Sequence, residues 1–150
     1  MPIGRARAVA LGAARHVLVD ARATFFEETL SYLIMGNVLR GHLYPLCVGA
    51  ERSLQARIAA RAARELGAGA VAHGCTAAGN DQVRFEVALR TLDPSLEIIA
   101  PIRDEGFSRA QEVAWLAERG IEWPAERAAY SVNSGLWGTT IGGKETTDTV

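Results

Sequence analysis

Four polar side chains crowd together after a glycine-rich turn in the middle of the chain. Within residues 73–85, the run His-Gly-Cys-Thr-Ala-Ala-Gly leads into Asn80, Asp81, Gln82 and, two positions on, Arg84. Glycine lets a backbone approach a ligand closely, and the free N–H groups at the start of a helix favour an anion. The pattern fits either a well-capped turn between a strand and a helix or a loop that binds a ligand. The residue types and spacing alone leave both interpretations open.

Strands and helices alternate on both sides of this turn. Three runs rich in β-branched and aliphatic residues predict strands, at residues 15–20, 69–74 and 96–100. Four segments with apolar residues every three or four positions predict helices, at residues 24–36, 53–66, 80–92 and 108–119. Strands separated by helices of this length indicate right-handed crossovers and an α/β fold, a parallel sheet with flanking helices. Ligands bind beyond the carboxyl ends of the strands in such sheets, which is where the glycine-rich turn lies.

Capping signals and apolar spacing predict the ends and the buried faces of these helices. Thr24 and Glu27 predict a capping box, while Ser53 and Gly67 suit the start and the end of the next helix. The apolar residues that recur at every fourth position of that helix predict its buried face: Leu54, Ile58, Ala62 and Leu66. In the helix at residues 80–92, the two valines are predicted to face inward: Val83 and Val87.

Composition and charge exclude several classes of protein. The chain has 150 residues and a hydrophobic fraction of 49%, enough for one domain with a core and too apolar for disorder. Sixteen basic and 17 acidic residues give a net charge of -1, which argues against nucleic acid as a partner. No apolar run reaches the roughly 18 residues of a membrane span, so no membrane partner is expected. Cys47 and Cys75 form neither a disulfide framework nor a zinc pattern, which favours a reducing, cytoplasmic compartment.

Four blocks of the chain resemble the signatures of argininosuccinate synthases, in the order of that family and at roughly its spacing. The blocks are YPLCVGAER at residues 44–52, AHGCTAAGNDQVRFE at 72–86, IIAPIRD at 98–104 and YSVNSGLWGTTIGGKET at 130–146. The stretch GNDQVRFE is long and specific. The resemblance implies an adenine-nucleotide α-hydrolase-like (Rossmann-like) nucleotide-binding domain over residues 1–120 and the start of a synthetase domain over 121–150.

The resemblance also implies a reaction. Enzymes of this family join citrulline to aspartate with ATP, in arginine biosynthesis. The ureido oxygen of citrulline attacks the α-phosphate of ATP, pyrophosphate leaves, and the amine of aspartate then displaces AMP from the citrullyl-adenylate. The protein mainly positions three substrates and stabilises phosphate charge. The expected partners are citrulline, aspartate and ATP, the last with Mg²⁺, and the intact family enzyme is expected to be a homotetramer.

The family's binding residues carry over onto matching positions of this sequence. The ATP site is expected at Ala72, His73, Gly74, Cys75, Thr76, Ala77, Ala78, Gly79 and Asn80. Aspartate is expected at Thr76, Asn80 and Asp81. Citrulline is expected at Tyr44, Asn80, Arg84, Ser131 and Thr140, with Arg52 as a further candidate. No catalytic residue and no metal ligand is assigned, and His73 is also interpreted as a strand-end histidine bonded to the backbone.

Three departures from the family pattern lead to an expectation about activity. No serine-glycine-glycine phosphate loop precedes His16, Ala77-Ala78-Gly79 replaces a Gly-Lys-Gly, and Gly49 replaces a hydroxyl residue. The C-terminal synthetase and tetramerisation region is not matched either. We therefore expect an internal piece of the enzyme, incomplete at its N-terminus. By itself it would make no argininosuccinate, because departing pyrophosphate needs a cradle of N–H donors and cations.

Two alternatives come from other functional classes. One is another ATP pyrophosphatase of the same nucleotide superfamily, against which GNDQVRFE argues. The other is a catalytically inactive remnant, or one part of a split enzyme. A stripe of three arginines on the helix at residues 53–66 is interpreted as a solvated face rather than an RNA site: Arg57, Arg61 and Arg64.

Overall fold

The computed structural model describes residues 3–46, 48–77, 79–123 and 130–143. The helices are α1 (Ile3–Ala10), α2 (Arg22–Phe25), a π-helical stretch (Phe26–Leu30), α3 (Ser31–Met35), α4 (Glu51–Leu66), α5 (Asp81–Leu92), α6 (Pro101–Asp104) and α7 (Arg109–Ala117). The strands are β1 (Ala70–Ala72), β2 (Glu97–Ile99), β3 (Tyr130–Ser134) and β4 (Thr139–Gly143). Within the described ranges, no helix is long and apolar enough to cross a membrane.

A parallel pair of strands with a crossover helix forms the centre of the fold. β1 pairs with β2 in the register Ala70↔Glu97, Val71↔Ile98 and Ala72↔Ile99, and α5 connects the two strands. This arrangement confirms the predicted parallel pairing. It also places the turn that follows β1 at the carboxyl edge of the sheet.

Helices α4 and α5 pack on each other through small residues. The buried cluster contains Leu89, Leu96 and three alanines of α4, namely Ala56, Ala60 and Ala63. The predicted face of α4 is therefore only partly covered, since Leu54, Ile58 and Ala62 are half-buried and Leu66 is 48% exposed. The alanines form a second apolar stripe of helical spacing, and their small side chains let a neighbouring helix approach closely.

The prediction for the inward face of α5 was wrong. Val83 and Val87 are 51% and 59% exposed, whereas Leu89 is buried and Phe85 packs against the core. The valines and the Phe85–Leu89 row are both apolar at helical spacing. Only the position of α4 decides which of the two is covered.

Residues 15–20, predicted as a buried strand, form no regular secondary structure and are solvent-exposed. Within the described part of the chain no strand pairs with them, and Leu18 is 75% exposed. A β-branched run becomes a strand only where a neighbour can complete its ladder of hydrogen bonds.

The helix predicted at residues 24–36 begins earlier and has no capping box. The helical segment begins at Arg22 after Ala21, whose side chain makes no cap hydrogen bond, and Thr24 lies inside the first turn. The Asp20 carboxylate instead accepts hydrogen bonds from the backbone N–H and the guanidinium of Arg22.

The helix ends that the sequence predicts at glycines agree better with the structure. Gly67 ends α4 in the left-handed region at φ 66°. Ser108 caps α7 in a reciprocal box with Gln111, and Gly120 follows that helix at φ 69°. A side chain at either φ would be strained, so these two glycines fix where the chain turns.

An antiparallel hairpin, which the apolar pattern did not predict, follows at the end of the described chain. β3 pairs with β4 in a register that sets Ser131 opposite Gly142 and Asn133 opposite Thr140. Because paired residues share a face and alternate residues repeat it, Ser131, Asn133 and Thr140 lie on one face of the hairpin.

Candidate functional site

A cleft of about 490 Å³ lies at the carboxyl edge of the sheet. Its walls come from the segment at residues 44–52, the loop after β1, the first turn of α5 and the inner face of the hairpin. The site residues expected from the sequence that line it are Tyr44, Arg52, Gly74, Cys75, Thr76, Gly79, Asn80, Asp81, Arg84, Ser131 and Thr140. The fold thus gathers side chains up to 96 positions apart, from Tyr44 to Thr140, around one cavity.

Three other residues expected at the ATP site do not line this cavity. Ala72 is the last residue of β1, and neither His73 nor Ala77 is among the lining residues. Ala78 lies outside the described residues.

The His73 side chain is held at the end of β1 by the backbone of Cys75 and by an aromatic ring. Its Nδ1 accepts a hydrogen bond from the backbone N–H of Cys75 at 3.3 Å, which confirms the interpretation as a strand-end histidine. The imidazole stacks on Phe85 with ring centroids 5.8 Å apart. His73 therefore fixes the start of the glycine-rich loop.

The charged centre of the cleft is one carboxylate held by two guanidinium groups. Asp81 accepts a hydrogen bond from Arg52 Nε at 2.9 Å and another from Arg84 Nη1 at 2.7 Å. The side chain of Arg52 is 13% exposed, against 34% for Arg84. Two positive charges around one negative charge leave an excess of positive charge at the wall, which suits a carboxylate ligand.

Asn133 extends this network to the hairpin. Arg52 Nη2 donates to Asn133 Oδ1 at 3.4 Å, and Asn133 Nδ2 donates to Ser131 Oγ at 3.4 Å. Asn133 was not a sequence candidate. The alternation of polar and apolar residues from Ser131 to Asn133 was the available signal, because it indicates a strand with one polar face.

Gly49 makes room for the guanidinium of Arg84. A Cβ built at this glycine would lie 3.3 Å from both Cζ and Nη2 of Arg84. The hydroxyl residue that the resemblance leads one to expect there would press on the guanidinium. The departure at Gly49 is thus coupled to the position that Arg84 takes in this chain.

Cys75 lies in the wall of the cleft, where its surroundings favour the thiol form over the thiolate. Burial raises the pKa of Cys75, the charge of Asp81 raises it further, and Arg52 opposes both effects. The thiol form is a poor nucleophile, so the microenvironment favours a packing role.

A tight turn presents Tyr44. The backbones of Arg40 and Tyr44 exchange two hydrogen bonds, at 2.8 Å and 3.0 Å. Between them, Gly41 and His42 both have φ 61°, in the left-handed region. The turn brings Tyr44 into the lining of the cleft.

Comparison with protein families matches this sequence to one family. The model described as "Arginosuccinate synthase N-terminal HUP domain" matches residues 1–122. The chain belongs to the argininosuccinate synthase family. The match also confirms the fold class predicted from the sequence, an adenine-nucleotide α-hydrolase-like α/β domain.

Curated relatives support the same assignment. The chain is 42% identical over 139 residues to the argininosuccinate synthase of Methanocaldococcus jannaschii, covering 93% of this chain and 35% of that protein. It is 42% identical over 137 residues to the argininosuccinate synthase of Pyrobaculum aerophilum, covering 91% and 34%. It is 40% identical over 136 residues to that of Lactococcus lactis subsp. cremoris MG1363, covering 90% and 34%. The chain thus spans about a third of the length of these relatives.

Proposed function

We propose that the cleft binds citrulline and aspartate beside ATP, and that the chain supplies the nucleotide-binding part of a ligase that forms argininosuccinate. The observation that carries this proposal is the convergence of three distant segments, residues 44–52, 74–85 and 131–140, on one cavity whose wall has an excess of guanidinium charge. Residues 1–120 form the nucleotide-binding domain in this proposal, and residues 121–150 begin the synthetase domain. The intact enzyme would be a homotetramer.

Arg84 is proposed to bind the carboxylate of citrulline. One of its nitrogens, Nη1, bonds to Asp81, and a guanidinium has further N–H donors in the same plane to offer a ligand. Tyr44, Ser131 and Thr140 would supply hydroxyl groups around the rest of citrulline. The hydroxyls can donate or accept, which suits a ligand with both amine and carbonyl groups.

Aspartate is proposed to lie against the loop after β1, at Thr76, Asn80 and Asp81. The Asp81 carboxylate has about four lone-pair positions, and the two arginines occupy two of them. The remaining positions suit the α-amino group of aspartate. In this proposal the nucleophilic amine would lie at the same wall as citrulline.

ATP is proposed to approach the glycine-rich loop and the N-terminus of α5. The Asn80 side chain makes no cap hydrogen bond to this helix, so it does not cover the N–H groups of the first turn. Such groups favour phosphate, and Mg²⁺ would accompany the phosphates as part of the substrate. The ureido oxygen of citrulline would then attack the α-phosphate, and the amine of aspartate would displace AMP.

A titration followed by NMR tests this proposal on the 150-residue chain. Citrulline should shift backbone amides of residues 74–84 and 130–140 in a saturable way. Ornithine, which has the same amino-acid head without the ureido group, should bind more weakly. Absence of saturable shifts at millimolar citrulline, or shifts elsewhere on the molecule, would contradict the proposal and favour an inactive remnant.

A further inference from the structure

We propose that Glu51 and Gly135 form a latch that fixes the β3–β4 hairpin over the cleft, which makes Glu51 a positioning residue for citrulline. This inference rests on the proposed function, since the hairpin carries two of the residues assigned to citrulline: Ser131 and Thr140. Glu51 does not itself line the cleft.

The latch joins two distant segments through one charge-assisted hydrogen bond. The backbone N–H of Leu136 donates to Glu51 Oε1 at 2.8 Å, across 85 positions of sequence. Glu51 lies in the first turn of α4, and Leu136 lies in the connection between the two strands. That connection is closed by a hydrogen bond from Gly135 N to Gly138 O at 2.9 Å, so the carboxylate holds an ordered turn.

Gly135 is the residue that lets the carboxylate come this close. A Cβ built there would lie 2.7 Å from Cδ and 3.0 Å from Oε2 of Glu51, and all three nearest atoms belong to Glu51. Gly135 is not among the glycines with positive φ, so its backbone conformation would accept a side chain. The close approach of Glu51 therefore depends on glycine at this position, because an added Cβ would displace the Glu51 carboxylate.

Arg52 ties the same hairpin from the next position of α4. Its contact with Asn133 and the contact of Glu51 with Leu136 attach the hairpin at two places. Asn133 shares a face with Ser131 and Thr140, so the attachment sets where those hydroxyls lie. The residues proposed to bind aspartate lie on the loop after β1 and at the first position of α5 instead. A loosened latch should thus weaken citrulline binding and leave aspartate binding intact.

The test measures citrulline and aspartate affinities of variants by NMR titration of the full chain. We expect Glu51→Ala and Gly135→Ala each to weaken citrulline binding about tenfold, the scale of a lost charged hydrogen bond. Glu51→Gln keeps an acceptor for Leu136 N–H and should lose about threefold or less. Aspartate affinity should stay unchanged in all three. The control variants are Glu65→Ala, whose carboxylate pairs with Arg61 on the exposed surface, and Gly69→Ala, where no atom lies within 4 Å of the added Cβ.

A double variant separates a latch from general destabilisation. In Glu51→Ala the atoms that obstruct a Cβ at residue 135 are gone, so adding Gly135→Ala should cost little more. Independent, additive losses in the double variant would overturn the latch, as would equal losses of citrulline and aspartate affinity.

A structural readout keeps the latch separate from the proposed function. Amide exchange at Leu136 should speed up in Glu51→Ala whether or not citrulline binds. If the unaltered chain fails to bind citrulline while this exchange responds, the proposed function fails and the latch stands. If citrulline binds and the exchange does not respond, only the latch fails.

Discussion

The guanidinium of Arg84 donates a hydrogen bond to Asp81 in the cleft, and it occupies the space that the missing side chain of Gly49 leaves open. Its guanidinium can present two parallel N–H donors to a carboxylate, whereas a lysine presents a single compact charge. A change to lysine thus tests geometry at constant charge. If Arg84 only formed a surface ion pair with Asp81, that pair would contribute about 0–1 kcal/mol to the stability of the fold.

Arg84→Lys should weaken citrulline binding by about 2–3 kcal/mol, the scale of a charged hydrogen bond lost in a site. ATP binding should change little, because the helix N-terminus and the glycines remain. Citrulline and ATP titrations of the variant check this, with Arg61→Lys as the control, since Arg61 pairs with Glu65 on the exposed surface. Unchanged citrulline affinity, or a loss confined to ATP, would refute the assignment of Arg84.

The reactivity of Cys75 reports on the charge of the same wall. Burial and the charge of Asp81 raise the thiol pKa, while Arg52 lowers it. Asp81→Asn removes the negative charge and releases Arg52 from its ion pair, so the pKa should fall and iodoacetamide should react faster at pH 8. Mass spectrometry of the peptide containing Cys75 measures the rate. Asp93→Asn, at the far end of α5, should leave the rate unchanged, and an equal or slower rate in Asp81→Asn would contradict this reasoning.

At the scale of elements, α5 and α6 are joined by the carboxylate of Glu86. Arg103 of α6 donates to Glu86 Oε2, and Arg90 Nη2 lies 2.6 Å from Oε1. These hydrogen bonds lower the pKa of Glu86 below its usual 4.5, and the bond from Arg103 has the largest effect. The ion pairs of Glu86 with Arg103 and Arg90 therefore stabilise the folded state fully above about pH 4.5. Their contribution is lost as the pH falls through the lower pKa that Glu86 has in the folded state.

Glu86→Gln should lower the free energy of unfolding at pH 7 by about 0.5–1 kcal/mol, since the pair is partly exposed and screened by water. The difference from the unaltered chain should shrink as the pH is lowered below 4.5, the usual value for the carboxyl. Urea unfolding at pH 7 and at pH 3 measures both quantities. Glu65→Gln, which breaks only the exposed pair with Arg61, serves as the control. A difference that grew on acidification would show that Glu86 has no depressed pKa.

At the scale of the whole molecule, apolar surface is left uncovered. Val83 and Val87 of α5 are more than half exposed, and so are Val132 and Ile141 on the outer face of the hairpin. Within the described part of the chain, β1 and β2 pair only with each other, which leaves an unpaired edge on each strand. Exposed edges and apolar faces both favour association with another chain.

The isolated chain should self-associate in a concentration-dependent way. Substituting Val83 and Val87 together by glutamine should weaken the association, because it removes apolar surface from a helix without disfavouring the helix. Sedimentation velocity across a range of concentrations measures this. Thr91→Gln, at an exposed and already polar position of the same helix, is the matched control. A monodisperse monomer with a sharp cooperative melt would contradict the prediction.

The sequence by itself determined those features that depend on near neighbours along the chain. Gly67 and Gly120 end their helices because φ is positive there, and the crossover from β1 through α5 to β2 follows from the alternation of elements. The matched blocks also identified the family correctly, since a motif such as GNDQVRFE is read without knowing the fold. The expected site residues at 74–81 lie together because they follow β1 at the carboxyl edge of the parallel pair, and most of them line one cleft.

Only the tertiary structure decided which of several equivalent local patterns is used. Two apolar stripes on α4 satisfy helical spacing, and the approach of α5 selected the alanines. Residues 15–20 have the composition of a strand and no ladder partner within the described residues. The contacts Arg52–Asn133 and Glu51–Leu136 join residues more than 80 positions apart. Such contacts depend on the complete path of the chain, since no local preference specifies which distant backbone will arrive beside a given side chain.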